Sequence, residues 1–540
     1  MRSAIKQLLR LRSHTSKLQR VTTGLKDSII EKFAEDEHLK KAIADAEHVF
    51  EEKKAIYGDS ILKDEAELLN GFQEGYVNFY HPDSIMPFVP LAAKGPWIVT
   101  LHGAVMHDSG GYGMLGFGHN PDFLMPAVGG EHCMANVMTP SFSQLRFTSA
   151  IKSQIGWSRG GECPYAKFVC MNSGSEAVEF SARVTDVHAK NMTAPGAPHE
   201  GRRIQMMCMQ GGFYGRTYRP ARLSESCRDV YREHLASFQY PECHAPIAVE
   251  PNNVQALEDA FAMAEEKNIH IEALYVEPVM GEGQPGKIMN RDFYDKAREL
   301  TKKHHSLLII DSIQASLRAT GSLSISDYPG KSNRSRRFED CDAPDMETYS
   351  KALNAGQYPL SVLAVQQHVA DTYVTGLYGN TMTTNPRALD VATETLNKCT
   401  PEIRANILQK GDEFQKEFKA IAEENPNVFV GVTGSGLLQA IHLHDDIKMF
   451  GGNFPGTESI LSRCRQSGLG VINAAHTIKF TPHFEISSPE IDLIGEVLRD
   501  VAKSYEAESA YSAEGQSNNT LLQRHFSVSL YRTLAYEENL

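Results

Sequence analysis

Leu307-Leu-Ile-Ile-Asp311 reads as a single buried strand that ends on a carboxylate. Four consecutive branched aliphatics without polar alternation predict a strand covered on both faces, as in a parallel sheet. Ala166-Lys-Phe-Val-Cys-Met171, Ile204-Gln-Met-Met-Cys-Met209 and Ile271-Glu-Ala-Leu-Tyr-Val-Glu-Pro278 read the same way. Helical periodicity fills the intervals at about 176–190 and 293–304. Strands alternating with helices predict an α/β fold, with a mostly parallel sheet covered on both faces. From about Pro401 the pattern becomes a smaller helix-and-strand part, mainly helical over 402–421. The expected organisation is a helical extension at 1–94 and a segment at 95–145 joining the small domain. A large domain at 146–398, a small α/β domain at 399–506 and a polar tail at 507–540 complete it.

The chain has 540 residues, 41% hydrophobic and 22% charged, with a net charge of −13. That balance fits a globular protein with ample core, and the negative charge argues against a nucleic-acid partner. The nine cysteines are scattered without a Cys-x-x-Cys pair, so free thiols are expected and no metal. No apolar run approaches the roughly 20 residues that span a bilayer, so no membrane partner is expected. Residues 1–26 carry seven Lys or Arg and no acid before Asp27. Two readings stand: a basic surface helix on a cytoplasmic protein, or a mitochondrial targeting segment.

Five short stretches carry the chemistry. Asn172-Ser-Gly-Ser175 lies between a strand and a helix, where free amides and the helix dipole favour a phosphate; a plain helix cap is the alternative. Gly211-Gly-Phe-Tyr-Gly-Arg-Thr217 offers close backbone approach, an aromatic face and an arginine, or simply a turn with an exposed arginine. Asp311 could keep a pyridine nitrogen protonated or cap the next helix. Lys351, 40 residues further on in Ser350-Lys-Ala-Leu353, could form an imine once burial lowers its proton affinity. Gly379-Asn-Thr381 follows 30 residues later. Together these parts suit an aldehyde cofactor bearing a phosphate and a ring nitrogen.

Here the chain resembles the class III pyridoxal-phosphate aminotransferases of fold type I, relatives of ornithine, acetylornithine and 4-aminobutyrate aminotransferases. The likeness runs from about Gly95 to Val501 and rests on Asn172–Ala177, Gly212–Thr217, Glu277-Pro-Val-Met-Gly-Glu-Gly283, Asp311-Ser-Ile-Gln314, Ser350–Leu353 and Tyr378-Gly-Asn-Thr381. It implies pyridoxal 5'-phosphate as cofactor, with Lys351 forming the Schiff base and relaying the proton. It places Asp311 on the ring nitrogen, Gln314 near the phenolic oxygen, and Ile313 and Phe213 on opposite ring faces. Ser173, Gly174, Ser175 and Tyr214 complete the cofactor's surroundings, and Thr381 would reach the phosphate of a neighbouring subunit in a homodimer with shared sites. Arg216, Glu282 and Lys479 are the implied substrate contacts.

The implied reaction moves an amino group, often a terminal one, from an amine or amino acid to a 2-oxo acid. An aminomutase, decarboxylase or epimerase would use the same cofactor motifs. A non-catalytic scaffold is the remaining class. Two departures from the family pattern stand out. Ser312 follows Asp311 where relatives carry glutamate, and Lys479 stands where relatives that recognise an α-carboxylate carry arginine. The basic insertion at 330–342 also lengthens the Asp-to-Lys segment and is expected to reshape the site entrance.

Overall fold

The computed structural model describes residues 2–80, 84–110, 113–133, 135–241, 244–329, 338–447 and 459–516. Its strands in chain order are β1 (Pro90–Lys94), β2 (Trp97–Thr100), β3 (Val105–Asp108), β4 (Lys167–Met171), β5 (Arg203–Met209), β6 (Ile247–Val249), β7 (Ile269–Val276) and β8 (Leu307–Asp311). They continue with β9 (Met346–Tyr349), β10 (Ser361–Val365), β11 (Phe429–Ser435), β12 (Leu438–Leu443), β13 (Leu469–Gly470), β14 (Ile472–Ala474) and β15 (Thr477–Phe480).

Seven of them form the central sheet, in the order β4-β10-β9-β8-β7-β5-β6. The steps from β9 through β8, β7 and β5 to β6 are parallel. Only β10, between β4 and β9, runs against its neighbours. The α/β fold with a mostly parallel sheet is therefore the one observed. Strands β7 to β10 are buried along their whole length, which explains their unbroken apolar runs. Two four-stranded sheets flank this centre, β1-β2-β3-β13 and β11-β12-β15-β14.

Three segments differ from expectation, each for a local reason. The helix after β4 starts at Gly174 rather than near 176, because Ser173 and Glu176 form a capping box. The last helix, Ser488–Gln516, runs on beyond 507, where a loose tail was expected; residues 517–540 lie outside the described part. Of the 330–342 insertion, 330–337 lie outside it too. The remainder docks on the helix Arg291–Lys303 through Arg291 to Asp340 (2.5 Å) and the buried Phe338. Those residues do not line the site described below.

At the basic N-terminus, the helix Arg2–His14 buries Leu8 and Leu11, and Arg12 donates to the Gly103 carbonyl at 2.9 Å and pairs with Asp27 at 2.8 Å. Among the described residues, no helix is long and apolar enough to cross a membrane. The described cysteines are free, and no cluster there could hold a metal ion.

A buried histidine pair joins the start of β7, at His270, to the segment before β5, at His199. His270 stacks on His199 with ring centroids 4.6 Å apart, and neither His270 Nε2 nor His199 Nδ1 has a hydrogen-bond partner. Burial, reinforced by the charges of His199, His188, Arg202 and His305, depresses the pKa of His270 to about 3. In the unfolded chain it titrates near 6.5. The unfolded state thus takes up a proton that the folded state refuses, and stability is lost as pH falls from about 6.5 towards 3, at roughly 1.4 kcal/mol per pH unit. The Tm of the wild type is expected to fall more steeply between pH 7 and pH 5 than that of His270→Phe; parallel slopes would refute this.

Candidate active site

Two parallel neighbours, β8 and β9, end side by side, with Asp311 in register with Thr348. Asp311 closes β8, and Lys351 follows β9 by one residue, at the start of a short 3-10 turn. Lys351 holds φ +32°, a strained conformation for a side-chain-bearing residue and one found disproportionately at functional sites. Carboxyl ends of parallel strands are where open α/β sheets place ligands. A pocket of about 580 Å³ opens there.

Its walls gather most of the residues singled out in the sequence. Ser173, Gly174, Ser175, Phe213, Tyr214, Arg216, Glu282, Asp311, Ile313, Gln314 and Lys351 all line it. Thr381 does not: it is exposed on another face, with its carbonyl accepting from Asn136 Nδ2 at 3.1 Å. Lys479 is fully buried beside the pocket and donates to Glu282 (2.9 Å) and the Gly281 carbonyl (3.2 Å).

At one end of the pocket the helix Gly174–Thr193 presents its first turn. Ser173 is occupied as the cap, and Ser175 Oγ accepts from the Arg216 amide at 3.2 Å. Gly174 permits a close approach: a Cβ there would lie 2.7 Å from Ile313 Cδ1. Tyr214 is buried, and its hydroxyl donates to the Tyr275 carbonyl at 2.9 Å, so it supports the pocket from the core side.

The opposite end is acidic. Asp311 Oδ1 accepts from the Ile313 amide at 3.0 Å, and burial pushes the Asp311 pKa up to about 6. Glu277, which sequence reasoning did not place in the site, accepts the amides of Phe213 (2.9 Å) and Gly281 (3.0 Å). Burial, followed by the charge of Asp311, raises its pKa to about 8. Lys351 is lowered, first by burial and then by Lys479, while Glu282 and Asp311 pull it back.

Arg318 was also missed. Fully buried, it donates to the carbonyls of Leu115 (2.7 Å), Pro482 (2.6 Å), Gly113 (3.2 Å) and Leu437 (3.4 Å). One guanidinium thereby ties the loop at Gly113 and Leu115, the strand end after Lys479 and the β11–β12 turn to the segment bearing Asp311. A Cβ on Gly113 would lie 3.7 Å from Lys351 Cδ, which shows how near that loop runs to the lysine. An arginine standing as the only charged residue between Asp311 and Asp327 is the signal that could have revealed it, since such a charge, once buried, must find several acceptors.

Comparison with known proteins agrees with this geometry. A family model, aminotransferase class III, matches residues 79–502. The chain belongs to the class III aminotransferases, enzymes that work with pyridoxal phosphate. An ornithine aminotransferase of Staphylococcus epidermidis is 26% identical over 427 residues, spanning 77% of this chain and 94% of that protein. Among solved structures, the ornithine aminotransferase of Toxoplasma gondii superposes with a TM-score of 0.66 at 21% identity, covering 84% of this chain and 99% of that one. Acetylornithine aminotransferase from Elizabethkingia anophelis gives 0.61 at 22% identity, covering 82% and 100%. These likenesses establish a shared fold.

The pocket fits the cofactor. It offers free helix-start amides for a phosphate and a buried carboxylate for a ring nitrogen. Phe213 and Ile313 supply walls for a ring, and Lys351 an amine. A Cβ at position 174 would push Ile313 into that space. Gly174→Ala is therefore expected to weaken pyridoxal phosphate binding by about tenfold, within the 1–3 kcal/mol typical of an overpacked contact. Fluorescence titration of the apoenzyme measures this. Unaltered affinity would contradict the packing argument.

Proposed function

We propose that this aminotransferase takes its amino group from the terminal amine of a donor that also carries a carboxylate. The observation that carries the reading is the division of labour among the site's cations. Lys479 is consumed by Glu282 and the Gly281 carbonyl. Arg216 is exposed at the mouth, with Tyr80 and Phe213 ring centroids 5.9 and 5.6 Å from its guanidinium. A carboxylate held at Arg216 by a planar, bidentate contact leaves the far end of the donor pointing at Lys351.

Pyridoxal phosphate, when bound, supplies the aldehyde that accepts the amino group and a ring that takes up the electron pair from the substrate carbon. Gly174 and Ser175 would hold its phosphate, Asp311 its ring nitrogen, and Gln314 the edge bearing the phenolic oxygen. Lys351 is the attachment amine and, once released, the base that moves a proton at the substrate carbon. Its lowered proton affinity suits both tasks, since a neutral amine is needed each time. Phe213 and Ile313 exclude water from the two faces.

Given an ω-amino acid such as 5-aminopentanoate and no acceptor, the loaded enzyme is expected to release one equivalent of oxo product per chain and stop. Adding a 2-oxo acid should restart it. Continued turnover without an acceptor, or release of carbon dioxide or an isomer, would point to a decarboxylase, mutase or epimerase instead.

A homodimer completes this reading. Val137, Met138, Phe142 and Leu145 are exposed beside Val374, Leu377 and Met382, around a groove of about 520 Å³. An apolar surface of that kind marks an interaction site, and Thr381 is exposed between Asn380, which lines the groove, and Met382. Sedimentation velocity should show a dimer, and Phe142→Asp should give a monomer without activity. A fully active monomer would refute the shared site.

A further inference from the structure

The loop that carries Phe213 and Arg216 runs from the end of β5 to the helix Tyr218–Leu223, and Gly211, Gly212 and Gly215 deprive it of stiffness. Even so, every residue from Gly211 to Thr217 is tied to another part of the chain. The Gly211 amide donates to Glu225 Oε2 (2.6 Å), and the Gly212 carbonyl accepts from the amide (3.2 Å) and hydroxyl (3.0 Å) of Ser226. The Phe213 amide donates to Glu277 (2.9 Å) and the Tyr214 amide to Ser224 Oγ (2.8 Å). The Gly215 carbonyl accepts from Ser224 Oγ (2.8 Å). Ser175 takes the last two, its hydroxyl accepting the Arg216 amide (3.2 Å) and its carbonyl accepting Thr217 Oγ1 (3.2 Å).

Ser224 is the centre of this arrangement. It is fully buried just after the helix Tyr218–Leu223, so the chain folds back on the loop it has left. Its oxygen accepts the Tyr214 amide, while its single proton has the Gly215 carbonyl at 2.8 Å and the Pro220 carbonyl at 3.0 Å within reach. A hydroxyl accepts and donates at once, which alanine cannot do. The two loop groups it holds come immediately before Arg216. Gly215 itself has φ +111°, a conformation suited to glycine, and a Cβ there would lie 2.5 Å from Ser175 Oγ. The backbone thus enters Arg216 along one path, between Ser224 on one side and Ser175 on the other.

Ser224 and Glu225 do not line the pocket, so any part they take in handling the donor passes through the loop. We infer that Ser224 and Glu225 are positioning residues for donor recognition: by fixing the loop backbone they set where the Arg216 guanidinium meets the donor's carboxylate. A planar guanidinium holds a carboxylate bidentately only over a narrow range of positions. A long side chain on a mobile, glycine-rich loop would lose much of that contact to the cost of ordering it. Hydrogen bonds already made to the loop remove that cost before the donor arrives.

The inference rests on the reading of Arg216 as the carboxylate clamp, and the test keeps the two apart. The cofactor-loaded enzyme is assayed, with a 2-oxo acid in excess, on 5-aminopentanoate and on pentylamine, the same chain ending in a methyl group. The wild type should prefer the carboxylate donor, and Arg216→Ala should abolish the preference. Ser224→Ala should lower kcat/KM for 5-aminopentanoate roughly tenfold, through KM, a fraction of the ~100-fold that a misplacement of about 1 Å costs. Pentylamine should be processed at close to the wild-type rate. Added to Arg216→Ala, Ser224→Ala should leave the ratio of the two donors unchanged, because residues that act through one another do not add. Glu225→Ala, at a partly exposed position, should reduce the preference roughly threefold, in line with one lost hydrogen bond, and it decides the matter if Ser224→Ala fails to fold. Equal losses on both donors, or a wild-type preference in these variants, would overturn the inference and leave the two residues structural. A wild type indifferent to the carboxylate would instead overturn the reading of Arg216, and it shows before any variant is made.

Discussion

A carboxylate held without water at the end of an apolar strand is the constraint on which this molecule turns. Asp311 closes a strand whose other residues are all buried aliphatics, and such a group is costly unless it is paired. The surroundings accept that cost in order to keep it there. The Ile313 amide orients one oxygen, Lys351 supplies a nearby positive charge, and the neighbouring strand carries a further buried carboxyl, Glu347, with donors of its own. With Glu277 also buried, the pocket gathers more carboxyl groups than Lys351 and Lys479 can pair, and the proton affinities of Asp311 and Glu277 rise with their burial. A cation placed between Asp311 and the lysine would relieve it, and a protonated ring nitrogen has the right charge for that place.

The same economy governs the two lysines. Lys479 has given its charge to Glu282 and the Gly281 carbonyl, so it neither competes with Lys351 as a nucleophile nor offers a planar clamp to a carboxylate. Lys351 has no such tight partner among its strongest influences and is depressed by burial and by Lys479 itself. Arg318 fixes this division mechanically. By binding carbonyls of Gly113 and Leu115, of the Lys479 strand end and of the β11–β12 turn, it sets the distance between the two halves of the site.

How much of this could be read beforehand depends on how local each signal is. The apolar runs of β4, β5, β7 and β8 are self-contained, so strand identity and the parallel sheet were visible in residue order alone. Asp311, Lys351 and the Ser-Gly turn were visible because each punctuates such a run. Glu277, Glu347 and Arg318 were not singled out, since their meaning lies in partners far away: Glu347 needs Tyr165, Ser312 and Ser324, none of them near it in sequence. What Ser312 does was not legible in the sequence either, because its hydroxyl donates to Glu347 on another strand. The helix start at Gly174 was set by a capping box that a periodicity argument does not weigh. The 338–342 segment looked like part of a site rim because it is polar, yet its Phe338 and Cys341 are buried against a helix.

Borohydride reduction of the cofactor-loaded wild type, followed by peptide mapping, tests the central claim most directly, because two lysines lie within the site and only one can be the attachment point. The account predicts a single reduced adduct on Lys351, and none in Lys351→Ala. An adduct on Lys479, or a wild type that binds the cofactor without any lysine adduct, would contradict it.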